Sequence, residues 1–553
     1  MVMTPGQFAL QDLHRVLRGA QATAGHLLSA GEGVLLRRLL DLDGQAGRLW
    51  VRLVARKGAL FRSDSLAFDD VPEPELALSE LQELDLVHRG IPWSQRLKLL
   101  RVPELKELLR GLGLALSGRR QELVDRLLPV PQPDRVGVWR VSGGALLRRL
   151  ERLWFRSGWR DRSSLLLERI GQVQWVDHPI TQPVAAFPSR ADWRDFESAV
   201  SGLESPQVLL SSIEQAQPRG IAFRGLDPRP KRAKQLIEQL RELERAGESQ
   251  GCIQAYQALL DAGVRRPGPV VQRLAQCLGR AEQPALGAEV CLHWRERVAP
   301  EQQPALERAG RRLAKKGGVG WPPMAPLRKA PVRDLVLEMV PSRPRPRWGP
   351  ERLGIEAAVQ RHCAGQEVLQ AENGLWTTLF GLLFFDLFWL PVPGMLPVPG
   401  MDGPLDLGSP VFVAHRAQAF QDRLDALARG EGAEILARHH EAGAGAQVRG
   451  VIWGLAPLPV LQEVVRGAGP GLVPVMERLG REGWSARRGL PDLVFVPGAP
   501  GAVADALPSK LSGELLCVEV KGPTDSLRDG QAVWHDRLLR AGLQVEIWKV
   551  RSR

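Results

Sequence analysis

The 553-residue chain carries 74 Lys and Arg against 62 Asp and Glu, a net charge of +12, with 44% hydrophobic residues. That length accommodates several domains with full cores, and the positive surplus favours a polyanionic partner without choosing between nucleic acid and an acidic membrane face. Five scattered cysteines with no Cys-x-x-Cys pair argue against structural zinc and for reduced, buried thiols, while the one long apolar run, 375–390, contains Asp386, stops at Pro391 and is too short for a membrane span.

Residues 1–95 open without a basic-apolar-small leader pattern. Segments 14–20 and 34–42 have helical spacing, and 48–57 interleaves basic and apolar residues as a strand would. The segment is therefore expected to be winged-helix-like, presenting a basic strand to a nucleic-acid backbone. A helical cap with a solvated basic strand is the plain alternative. In 96–130, Pro103 stands at a helix start, Leu105, Leu108, Leu109 and Leu112 follow at helical spacing, and Ser117-Gly118-Arg119-Arg120 opens a second helix. This hairpin resembles the SAP module, a small DNA-binding motif. The resemblance implies phosphate contacts by Lys106, Arg119 and Arg120, which would fix position without reading sequence; a bare hairpin would be only a spacer.

Residues 131–225 form the remainder of the N-terminal DNA-binding region, with Trp139, Trp154, Trp159, Trp175 and Trp193 expected in cores or interfaces. In 226–320, helical segments 235–245, 252–260, 270–278, 288–297 and 304–315 are separated by short Gly/Pro connections, the pattern of degenerate tetratricopeptide-like (TPR-like) helix pairs. Residues 321–350 are Pro-rich and basic, with Arg343, Arg345 and Arg347 alternating with prolines, and are expected to be a semi-rigid spacer.

The region 351–553 carries the chemistry. Glu372-Asn373-Gly374 precedes the apolar run, which is expected to be a core helix. Asp386 lies 14 residues beyond Glu372, about 21 Å along a continuous helix, and is expected to be structural. Leu390-Pro391-Val392-Pro393-Gly394-Met395 is repeated at once as Leu396-Pro397-Val398-Pro399-Gly400-Met401, which reads as a surface extension, and a helical insert follows at about 410–450.

Two β-type runs then carry Pro491-Asp492 and Glu519-Val520-Lys521. Residues two apart on a strand share a face, so Glu519 and Lys521 point the same way. Carboxylates on neighbouring strands can hold a hard divalent cation, and a lysine beside them can stabilise charge growing on a phosphate. Pro-Asp turns and Glu-x-Lys strands are common, so the pattern alone is weak. Its neighbourhood strengthens it: Leu527, Gln531, Trp534 and Leu538 recur at helical spacing, placing Gln531 on a buried stripe where it needs a polar partner. A strand at 544–550 closes a strand-strand-helix-strand unit.

Arg488-Gly489-Leu490-Pro491-Asp492-Leu493-Val494 and Val518-Glu519-Val520-Lys521-Gly522-Pro523-Thr524-Asp525, with Gln531 and Trp534, resemble the VRR-NUC branch of the PD-(D/E)xK nucleases and, more narrowly, the Fanconi-associated nuclease family. The resemblance implies a multidomain, mostly helical α/β protein: winged-helix-like and SAP DNA-binding regions, a TPR-like array and a C-terminal PD-(D/E)xK (VRR-NUC) nuclease domain. It implies Mg²⁺ or Mn²⁺ on Asp492 and Glu519, with Glu372 completing the shell partly through water. We expect the Val520 carbonyl to add an oxygen, Lys521 to orient water or neutralise phosphate, and Gln531 to support it.

The substrate implied is branched or flapped DNA, cut as a 5′-flap endonuclease and 5′-to-3′ exonuclease in interstrand-crosslink repair. Such an enzyme would act as a monomer on DNA, away from membranes, in a bacterial nucleoid or a eukaryotic nucleus. Two departures stand out. Asp492 and Glu519 are 27 residues apart because 498–512 inserts a Gly/Pro/Ala-rich loop, and Gly530 stands where some members carry a basic residue that grips a 5′ phosphate, leaving Arg487 and Arg488 as candidates. No ubiquitin-binding zinc finger is seen. The rival readings are a compact, dimeric Holliday-junction resolvase of VRR-NUC type and a catalytically silent DNA-binding scaffold.

Overall fold

A computed structural model describes residues 3–131, 137–156, 162–181, 185, 187–201, 208–209, 211, 229–264, 266–342, 347–497 and 515–552. Trp159, Arg343, Arg345 and the expected loop 498–512 lie outside those residues. Contacts divide the chain into two compact units, Met1–Val173 with Pro183–Trp193 and Gln174–Gln182 with Arg194–Arg553.

In the first unit, helices Pro5–Ala24 and Ala30–Leu40 each start at a capping box, Thr4 with Gln7 and Ser29 with Glu32. The segment 48–57 is not the expected strand but most of the helix Gly44–Ala55. Its apolar residues satisfy both periods, and burial of Ala46, Leu49, Trp50 and Leu53 at i, i+3, i+4 and i+7 selects the helix. Arg48 and Arg52 then share the opposite face and grip Asp70, through its carbonyl at 2.8 Å and its carboxylate at 2.7 Å. The sheet of this unit is small and antiparallel, β1 (Leu60–Arg62), β2 (Val87–His88) and β3 (Val138–Val141) in the order β1-β3-β2. The helical hairpin forms as read, Val102–Gly111 and Arg120–Leu127, around Leu97, Leu105, Leu109, Leu123 and Leu127. Arg62 clamps it to β1 through both oxygens of Glu104, each at 2.7 Å.

The second unit opens with helices Arg229–Arg245, Ser249–Asp261, Pro267–Arg280, Pro284–Arg295 and Gln303–Gly317, joined by short turns and packed in succession. The segment expected to be a spacer contributes β4 (Val332–Leu337), the edge strand of a five-stranded sheet. An edge strand buries little, and β4 alternates exposed and half-buried residues, its short apolar run Leu335-Val336-Leu337 following the charged Arg333-Asp334. The sheet continues with β5 (Glu367–Gln370), β6 (Leu493–Val496), β7 (Leu516–Lys521) and β8 (Gln544–Ser552), in the order β4-β8-β7-β6-β5. The β4-β8 and β8-β7 pairs are parallel, and the β7-β6 and β6-β5 pairs antiparallel. The helix Asp529–Arg540 supplies the crossover from β7 to β8, the strand-strand-helix-strand order read from the sequence.

The apolar run is core, as expected, but breaks at Phe384 into helices Trp376–Leu383 and Phe385–Phe388. Phe380 and Phe384 stack at 4.6 Å, and Phe384 stacks on Phe420 of the insert helix Ala417–Ala428 at 4.9 Å. Asp386 accepts from Arg423 at 2.6 Å, a structural ion pair. The duplicated hexapeptide is not the surface extension expected of it: Met395, Leu396, Val398 and Met401 are all buried, since its apolar side chains follow the hydrophobic effect into the core.

Candidate active site

In the β6-β7 ladder Leu493 lies opposite Val518, so Asp492 faces Glu519 one step further along. On the other side of β6, Leu493 pairs with Gln370, and the Asp492 carbonyl accepts the Ala371 N–H at 2.7 Å. The chain leaving β5 therefore starts its π-helical turn, Ala371–Leu375, beside Asp492, and that turn carries Glu372. Glu372 is exposed.

Glu519 is fully buried. Its Oε1 accepts from Lys521 Nζ at 2.7 Å and from Gln531 Nε2 at 2.5 Å, while Lys521 Nζ also donates to Gln531 Oε1 at 3.1 Å. The three side chains close a triangle, the polar partner expected for Gln531; of the expected stripe Trp534 and Leu538 are buried, Gln531 is half-buried, and Leu527 is exposed ahead of the helix Asp529–Arg540. The amide oxygen of Gln531 is held in turn by the Arg528 N–H at 2.9 Å. Asp492 Oδ2 accepts the Val520 N–H at 2.7 Å. Burial first, and the charge of Glu519 second, push the Asp492 carboxyl up to about 8, with the charge of Glu372 adding to the rise. The Val520 side chain points to the other face of the sheet, into a core with Val518 and Trp548.

Asp492, Glu519, Lys521 and Gln531 are thus brought together, with Glu372 near enough for its charge to bear on Asp492. Among the described residues no three His, Cys, Asp or Glu side chains already stand as a metal-holding cluster. The pair nonetheless fits a hard divalent cation. Glu519 Oε2 is buried with no hydrogen-bond partner among the described residues, and a carboxyl driven to about 8 by burial and a like-charged neighbour is relieved by positive charge.

His535 was not singled out by sequence reasoning. It is buried, neither ring nitrogen has a hydrogen-bond partner among the described residues, and Nε2 lies 3.7 Å from Glu519 Oε2. Its spacing of four from Gln531 places both on one helix face, a signal that was available.

Arg487 and Arg488 are exposed at the end of the turn Trp484–Arg487, and the following Gly489, at φ +95°, packs directly on the backbone of Gly530 and Gln531. Lys106, Arg119 and Arg120 belong to the other unit. Arg119 is exposed at the N-terminus of its helix, and Lys106 is half-buried. One Nη of Arg120 donates to the Lys98 carbonyl at 2.8 Å, with those of Leu97 and Leu100 at 3.4 and 3.3 Å, so Arg120 first holds the preceding turn together.

An antiparallel β6-β7 pair that sets two carboxylates opposite each other, with a lysine on the same strand face, defines a VRR-NUC-class nuclease fold. Family comparison agrees: residues 430–552 match the VRR-NUC domain, 96–129 the SAP domain and 8–88 the FAN1 HTH domain. A Fanconi-associated nuclease 1 homologue of Arabidopsis thaliana is 25% identical over 98% of this chain and 66% of its own length. A homologue of the same name from Pseudomonas aeruginosa is 26% identical over 95% of this chain and 92% of its own. The crystal structure of paFAN1 bound to 1-nt 5′-flap DNA with a gap superposes with a TM-score of 0.79 at 25% identity, covering all of both chains. The chain thus resembles the Fanconi-associated nucleases along nearly its whole length. It spans about two thirds of the Arabidopsis relative's length. No helix among the described residues is long and apolar enough to cross a membrane.

Proposed function

We propose that the chain is a divalent-metal-dependent, structure-specific DNA nuclease that hydrolyses phosphodiesters in flapped or branched DNA. The observation that carries this reading is the buried Asp492-Glu519 pair with Lys521 and Gln531 locked onto it. The names of the relatives, nucleases, and a related crystal structure holding 5′-flap DNA support the substrate class. Asp492, Glu519 and the Val520 carbonyl would hold Mg²⁺ or Mn²⁺, with Glu372 acting through water. When bound, the cation supplies Lewis acidity toward water and the scissile phosphate.

The remaining steps belong to the chain's own groups. Glu519 holds Lys521 Nζ at the rim of the pair, where the ammonium meets the charge growing on the phosphate. Gln531 spans both, fixing the lysine against rotation. Arg487 and Arg488 flank the helix start and would be the groups to meet a 5′ phosphate, while Lys106 and Arg119 would contribute DNA-backbone contacts from the SAP hairpin. In this reading 1–95, 96–130 and 131–225 position DNA, 226–320 is a scaffold and 351–553 cuts, as a monomer. Endonucleolytic flap cutting, 5′-to-3′ exonuclease action and a place in crosslink repair, in nucleoid or nucleus, follow from the family.

A flap-cleavage assay with Mn²⁺ tests this. Wild type cuts, and Asp492→Ala binds the DNA but does not cut it. Equal cutting by both overturns the site, and paired cuts in four-way junctions by a stable dimer would replace the flap reading.

A further inference from the structure

We infer that the helical array of the second unit carries a phosphate-binding ribbon for the backbone of duplex DNA, built on its first, third and fifth helices. This rests on the nuclease reading above, and assigns to the array a binding role beyond that of scaffold.

Helical spacing puts Arg241 and Arg245 on one face of Arg229–Arg245, Arg273 and Arg280 on one face of Pro267–Arg280, and Arg312 and Lys316 on one face of Gln303–Gly317. Two clefts join these faces. The first, about 270 Å³, is lined by Arg241, Arg245, Arg273 and Arg280 around Glu244. The second, about 410 Å³, is lined by Arg280, Arg312 and Lys316, with no acidic residue. Arg280 lines both, so the two clefts lie on either side of one guanidinium.

The sole carboxylate of the clefts is not a counter-charge facing solvent. Glu244 is buried, its Oε1 accepts from the Tyr256 hydroxyl at 2.6 Å, and its Oε2 accepts from Arg273 and Arg280 at 3.2 Å each. It works as a strut that fixes two guanidinium groups at the cleft. Arg241, Arg245 and Arg312 are exposed and have no hydrogen-bond or ion-pair partner among the described residues. Cations converging on a concave surface focus its potential and draw in anions.

The ribbon also has a direction. One turn before Arg312, Arg308 forms a bidentate pair with Asp529, at 2.7 and 2.5 Å, and Asp529 opens the helix that carries Gln531. The ribbon therefore ends, at its fifth-helix end, beside the catalytic helix. A run of cations leading to a phosphodiesterase site fits a polymer of phosphates better than a single soluble anion.

The test is binding of the full-length chain to a fluorescent 5′-flap duplex in EDTA across a KCl series, for wild type and Arg241→Gln/Arg245→Gln/Arg312→Gln. These three side chains are exposed and partner no buried group, so the fold is kept. Losing three phosphate contacts makes the slope of log K against log salt shallower by about 2.7. The triple Arg→Lys variant recovers the wild-type slope, because the ribbon needs charge rather than shape. An unchanged slope in the glutamine variant overturns the ribbon, as does a lysine variant that behaves like the glutamine one. Stabilisation of wild type by inorganic phosphate alone, with an unchanged DNA slope, would make the clefts a soluble-anion site instead. A wild type that binds with the expected slope difference but cuts no flap leaves the ribbon standing and removes the nuclease reading.

Discussion

Replacing Asp492 by Asn should stabilise the metal-free protein at neutral pH while abolishing cutting. The Asp492 carboxyl moves from an ordinary 3.8 to about 8 in the folded chain, driven by burial and by Glu519. The folded state therefore holds this proton more tightly than the unfolded state. The stability it contributes is fully present below pH 3.8 and is lost as pH rises through about 8. Each pH unit inside that window costs about 1.4 kcal/mol, so from pH 5 to pH 8 wild type loses about 4 kcal/mol relative to Asp492→Asn, whose amide keeps the bond from the Val520 N–H and carries no charge. At about 2 °C per kcal/mol for a unit of this size, the two melting temperatures separate by roughly 8 °C across that range. Thermal melts in EDTA at pH 5, 6, 7 and 8 read this directly. Millimolar Mn²⁺ should reverse the order, raising wild type above the variant, because only the carboxylate gains from the cation. Melting curves that stay parallel over the whole pH range would show that the carboxylates are not a strained buried pair, and would remove the physical ground for a metal there.

The chemistry of the site was legible because it depends on local geometry: Glu519 and Lys521 share a strand face whatever the rest of the fold does. Gln531 was legible for a similar reason, as a polar residue on an apolar helical stripe. The opposition of Asp492 to Glu519 could not be read, since strand register is decided by pairing across the sheet and the intervening residues do not encode it. The helix Gly44–Ala55 is read as a strand at 48–57 because apolar residues at 49, 50, 51 and 53 satisfy both a two-residue and a 3.6-residue period. Only packing of Ala46 and Trp50 in the same core separates them. β4 was hidden in a proline-rich, basic segment because an edge strand need not be hydrophobic. Arg120 shows a different limit: the sequence marks it as a cation near a helix start, but the carbonyls of Leu97, Lys98 and Leu100 that claim its guanidinium are set by the preceding turn.

Two further substitutions separate the roles of the site's neighbours. Lys521→Met should lower single-turnover flap cleavage by about 10²–10³-fold with DNA affinity in Ca²⁺ nearly unchanged, since an interaction made mainly in the transition state is lost; an equal loss of affinity would make Lys521 a binding residue. Gly489→Ala should be worse than an ordinary glycine replacement. At φ +95° the new residue is strained, which costs about 1–2 kcal/mol on its own. Its Cβ would also lie 2.6 Å from the Gly530 carbonyl carbon and 2.8 Å from the Gln531 nitrogen, backbone atoms that cannot swing aside. The start of the catalytic helix must shift, carrying Gln531 away from Glu519 and Lys521, so activity falls together with melting temperature. Gly430→Ala is the matched comparison, because Gly430 has φ +90° but open space around its Cβ direction. It pays the backbone strain alone and should keep its activity. If the two variants lose the same stability and cut equally well, the contact between the Gly489 turn and the helix does not position the site.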